Sequence, residues 1–192
     1  MIIWSTYVPF DHKKENKQMK NYMFIPTFLL LMLLLSCNSA QQQSDEPFAD
    51  CPQGKPSAVF NKEIQGIKEH QFGLKADFSI ETVDFHNGTK LELIQSGCEN
   101  VVQEYQFTFE GEPLPNDPAV WTALAVVQFK FLSSLGEAFA PFFMWATAIE
   151  NAQDYFIFNE AHEIQPGFFV TLNKVSGQAE QILIVKLATQ TQ

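Results

Sequence analysis

The sequence predicts an α+β domain: an antiparallel sheet made of strands, then two helices, then strands, with the helices packed on one face. Three observations predict it. Residues 75–109 alternate apolar and polar side chains and are interrupted by an Asn-Gly pair. Residues 119–152 are mostly apolar with helical spacing. Residues 167–188 return to alternation around a Ser-Gly-Gln break.

The first strand reads KADFSIETVDF, with Phe78, Ile80 and Thr82 on one alternating face. His86-Asn87-Gly88 follows, and Asn-Gly tolerates the positive φ of a tight hairpin turn. TKLELIQ returns, with Leu91 and Leu93 sharing a face, and Ser96–Asn100 ends it. VVQEYQFTF then sets Val101, Tyr105, Phe107 and Phe109 against Glu104, Gln106 and Thr108, completing a half-buried meander. After a polar turn, Asn116 or Asp117 is placed to cap a helix and Pro118 suits its first turn. That helix begins at Ala119, with Trp121, Leu124, Val127, Phe131 and Leu135 at helical spacing. Ser133–Gly136 loosens the pattern, and a second helix is expected over Phe139–Ala152 with Pro141 in its first turn. Asp154–Phe158 reads as a short strand. Gly167–Val175 alternates Phe169, Thr171 and Asn173 against Phe168, Val170 and Leu172. Ala179–Ala188 alternates Ile182 and Ile184 against Leu183, Val185 and Leu187.

Ahead of this domain, Met23–Leu35 is an apolar run flanked by Lys20, too short for a comfortable bilayer span. It closes on Leu34-Leu35-Ser36-Cys37, and NSAQQQSDEPFAD comes next. On these residues the N-terminal region resembles a bacterial lipoprotein precursor, whose lipobox is a small apolar tetrapeptide ending in cysteine; Leu35 is bulkier than the residue usual at its place. The resemblance implies that residues 1–36 are a signal peptide and that Cys37 becomes the lipidated first residue. Residues 1–18 read as an over-extended start, since Met19 opens a signal of normal proportions. Residues 37–52 form the lipidated cysteine and its flexible tether, and residues 53–192 a single domain. The implied partner is a membrane, reached through the lipid anchor. Asn38 after the cysteine favours the outer membrane of the cell envelope.

Composition narrows the partners further. All 12 basic residues are lysines, against 22 acidic residues. Four of those lysines and two of the acids precede Cys37, which leaves 8 against 20, a charge of −12, in the expected mature chain. An acidic, arginine-free domain is a poor match for nucleic acid. Once Cys37 is lipidated, Cys51 and Cys98 remain, and an exported compartment permits a bridge between them. A metal pair lacks ligands at short spacing, and a nucleophilic thiol requires a positioned histidine that sequence does not reveal.

No GxSxG, HExxH, P-loop or dinucleotide fingerprint occurs; no cofactor or metal is expected. His86 reads as a solvated turn residue, and His70 has no partner at ligand spacing. His162, within Asn159-Glu160-Ala161-His162-Glu163, is the candidate general base. Asp77, Glu81 and Asp84 read as an exposed strand face. The aromatic helices pose a sharper alternative. Trp121, Phe139, Phe142, Phe143 and Trp145 either fill the core or form a face for an apolar ligand or a protein partner. The leading expectation is a lipid-anchored envelope protein with a non-catalytic binding or interaction domain. The alternatives are a hydrolase of envelope polymers or esters using His162 with a carboxylate, and a structural factor in envelope assembly.

Overall fold

A computed structural model of the chain describes residues 48, 51–52, 54–177 and 179–189. The expected signal peptide, Cys37 and most of the expected tether lie outside the described residues. Seven strands form one antiparallel sheet: β1 (Ile67–Leu74), β2 (Phe78–Phe85), β3 (Lys90–Ser96), β4 (Val102–Glu110), β5 (Ala161–Gln165), β6 (Phe168–Ser176) and β7 (Glu180–Ala188). Two helices, α1 (Pro118–Ser133) and α2 (Pro141–Asn151), stand between β4 and β5. The spatial order is β1-β2-β3-β4-β7-β6-β5, so two meanders join where β7 pairs with β4. This is the expected α+β arrangement, with both helices against one face.

Alternation decides which side faces the helices. Leu91 and Leu93 pair across to Phe107 and Tyr105, which pair in turn with Leu183 and Val185, and all six are buried. The opposite face carries Thr82, Glu92, Gln106 and Lys186, all half-exposed. In β2 the buried set is Ser79, Glu81, Val83 and Phe85, so Phe78, Ile80 and Thr82 belong to the open side.

Asp117 caps α1, its Oδ1 accepting from the Ala119 N–H at 2.9 Å, and Pro118 occupies the first turn, where its missing N–H costs nothing. The buried stripe of α1 is Trp121, Ala125, Phe129 and Leu132, whereas Val127 is exposed. The expected stripe through Leu124, Val127 and Phe131 is therefore out of phase; apolar residues encircle the helix, and periodicity alone defines no unique inner face. Helix α2 starts at Pro141 rather than Phe139. Glu137–Phe139 form a 3-10 turn ahead of it, because proline has no N–H to continue a preceding helix. An ion pair between Lys130 Nζ and Glu150 Oε2 at 2.8 Å links the two helices.

Two strands differ from expectation. Residues 154–158 are not a strand; Gln153–Tyr155 is a 3-10 turn, and the chain pairs only from Ala161. Ile67–Leu74, a polar segment without clear alternation, forms the edge strand β1.

Candidate functional site

Two constellations stand out, one inside the core and one at the sheet edge. The inner one begins with a strap, residues 54–60, that crosses the helix-side face of β2 and β3. Glu81 in the middle of β2 is fully buried. Its Oε2 accepts from the Val59 N–H and its Oε1 from the Phe60 N–H, both at 2.8 Å. Nε2 of His70, on β1, lies 2.7 Å from the same Oε1. A buried carboxylate is tolerated where donors surround it, and here two come from backbone. Glu81 is thus a clamp rather than part of an exposed acidic face, which corrects the reading of Asp77, Glu81 and Asp84; Asp77 is exposed and Asp84 half-exposed.

A second set of bonds fastens the strap at β3. The Tyr105 hydroxyl donates to Gln103 Oε1 at 3.1 Å, Gln103 Nε2 to Gln95 Oε1 at 3.4 Å, and Gln95 Nε2 to the Ser57 carbonyl at 3.1 Å. Ahead of the strap in sequence, Cys51 forms a disulfide with Cys98. At the strap's end, the Phe60 ring stacks on Phe139 at 5.4 Å and Phe142 at 6.4 Å and meets Phe85 edge-on at 6.3 Å.

Burial, and then the nearby Glu81 carboxylate, hold the Tyr105 hydroxyl protonated well above the usual tyrosine range. Folded Tyr105 therefore keeps its proton where unfolded tyrosine loses it, above about pH 10. Proton affinity is higher in the folded state, so stability falls as pH rises past that point. The advantage of wild type over Tyr105→Phe, set by a hydrogen bond contributing about 1 kcal/mol, is expected to be constant up to pH 10 and to shrink above it. Urea midpoints of both proteins between pH 8 and 11 measure this; a gap that stays constant throughout refutes it.

The outer constellation is a groove of about 510 Å³ between α2 and β5. Helix α2 contributes Phe143 and Met144, which are 55% and 65% exposed, and the turn after it contributes Tyr155, 68% exposed. From β5 come His162 and Ile164 on the helix side. The His162 ring stacks on Tyr155 at 5.6 Å and meets Phe156 edge-on at 5.5 Å. Among the described residues its ring nitrogens have no hydrogen-bond partner. Glu163 projects to the other side of the strand and accepts from the Gly167 N–H at 2.8 Å.

The structure divides the sequence candidates. Phe143 and His162 are brought together in the groove. Trp121, Phe139 and Phe142 are buried in the core and offer no open face. Trp121 satisfies its indole N–H on the Pro115 carbonyl at 2.8 Å. Trp145 is half-buried against Phe168, ring centroids 5.1 Å apart, away from the groove. Met144 and Tyr155 were missed by sequence reasoning; their only signal is apolar character at the outer positions of an already apolar segment. Glu81 and His70 carry no local signal at all. Comparison with family models, curated proteins and solved structures finds no match.

Proposed function

We propose that this chain is a lipid-anchored cell-envelope protein, held by Cys37, whose domain is a non-catalytic binding module with the α2–β5 groove as its binding surface. One observation carries the reading. Phe143, Met144 and Tyr155 are exposed together beside a groove of ligand-binding size, in a domain whose other described aromatics are all buried or half-buried. The hydrolase alternative finds less support. A general base needs an orienting partner, whereas His162 contacts aromatic rings and the Glu163 carboxylate is engaged by a turn N–H.

The test is binding of a neutral apolar fluorophore, Nile red, to the full chain in zwitterionic nanodiscs, corrected for empty discs. The double variant Phe143→Ser, Met144→Ser is expected to bind at least tenfold more weakly while its unfolding midpoint stays at the wild-type value. Equal binding by wild type and variant overturns the proposal.

A further inference from the structure

We infer that the groove takes a short, extended, lysine- or arginine-bearing peptide segment, which adds as an eighth strand along β5. The inference rests on the groove being a binding surface and names its occupant.

The first observation is where the groove runs. His162 and Ile164 project to the helix side of β5, and Glu163 projects to the opposite side, yet all three line the groove, as does Gln165 at the strand's end. Residues of both faces border one cavity only if it follows the strand's outer edge. Strand β5 is last in the sheet order and, among the described residues, pairs with β6 alone. The outer edge of such a strand presents backbone N–H and C=O groups that suit an incoming strand. Its five residues offer about 17 Å of edge. Alternate side chains of an added strand would lie against Phe143, Met144 and Tyr155. The register shift between Glu163 and Gln165 twists the edge, which disfavours open-ended stacking of sheets and suits a short guest strand.

The second observation is charge. Between Lys130 and Lys174 the chain has five acidic residues and no lysine or arginine. Four of the five, Glu150, Asp154, Glu160 and Glu163, stand on or between the elements that frame the groove. Lys130, at the near end of that span, is already paired with Glu150. Of the four, Glu163 lines the groove, Glu150 is held by Lys130, and exposed Asp154 and Glu160 lie in the segments that flank it, so a guest carrying basic side chains between its apolar ones meets a net acidic surround and aromatic faces within, where cation–π contact adds to attraction.

The probe is a blocked nine-residue peptide alternating lysine with valine and phenylalanine, added to the full chain in zwitterionic nanodiscs. Its controls are the same peptide with glutamate for lysine, and the same peptide N-methylated at alternate amides along one edge. The lysine peptide is expected to slow hydrogen exchange of the Ala161–Gln165 amides at least tenfold. Glutamate replacement and N-methylation are each expected to weaken binding at least tenfold, as is Phe143→Ser in the protein. If Nile red binds and the lysine peptide does not, strand addition is overturned while the groove remains a binding surface; if neither binds, both fall. Equal binding of the glutamate peptide, or binding without protection of residues 161–165, also overturns the inference. So does protection that is present without peptide and disappears on dilution, which assigns the edge to a second copy of the chain.

Discussion

Replacing Phe142 with serine is expected to lower the free energy of unfolding by about 4 kcal/mol or more, whereas replacing its neighbour Phe143 changes it by less than about 0.5 kcal/mol. Phe142 is buried at the junction of the strap, the helices and the sheet. Its ring lies 5.9 Å from Tyr105, 5.9 Å from Phe129 and 6.2 Å from Phe139. Deleting a buried phenylalanine ring costs about 3–5 kcal/mol, from lost transfer energy and from the cavity left behind. Serine adds a hydroxyl among aromatic rings, a further penalty unless water enters. Phe143, one residue on, points away from that cluster and is 55% exposed. Urea unfolding of the full-length variants, followed by tryptophan fluorescence, compares the two. Similar losses from both would mean that the groove face is packed in solution and would remove the support for a binding surface.

The second large effect is expected at Glu81. Glu81→Ala leaves the Val59 and Phe60 N–H groups without their acceptor and His70 without its partner. Each buried donor so orphaned costs about 1–3 kcal/mol, and the removed side chain leaves a void. The expected loss is about 3 kcal/mol, less if the strap lifts and lets water in. Glu81→Gln is expected to cost about half as much, because its amide oxygen still accepts from one N–H while its NH₂ faces another donor. Hydrogen exchange at Val59 and Phe60 locates the effect. Rapid exchange there with β4 and β7 still protected identifies release of the strap; a loss below about 1 kcal/mol in Glu81→Ala refutes the clamp.

The two predictions also mark where the sequence was legible. The meander of β2, β3 and β4 was readable because Leu91, Leu93, Tyr105 and Phe107 alternate strictly with polar residues, and a half-buried antiparallel strand imposes that pattern. The start of α1 was readable because Asp117 and Pro118 act through bonds within their own turn. Strand β1 was not, because an edge strand buries little and IKEHQFGL shows no clean period. Asp154–Phe158 looked more strand-like than Ala161–Gln165, yet the chain leaves α2 through a 3-10 turn, and the edge position needs no apolar alternation. Two residues of the groove, Phe143 and His162, stood out in the sequence, the first for an apolar face and the second as a general base, and not as parts of one surface. Met144, Tyr155 and the free edge did not, since they become one surface only when α2 is laid beside β5.

Sequence by itself determined the features set by short-range chemistry: the coarse succession of strands, helices and strands, the inward face of β3 and β4, the cap of α1, and the acidity of the segment between Lys130 and Lys174. Tertiary structure decided the features that depend on distant neighbours. Phe142 turned inward and Phe143 outward because α2 is laid with one side against Tyr105 of the sheet, Phe129 of α1 and Phe60 of the strap. Glu81 became a buried clamp because two backbone amides more than twenty residues away reached it. A carboxylate's solvation is set by everything that surrounds it, and no run of adjacent residues encodes that.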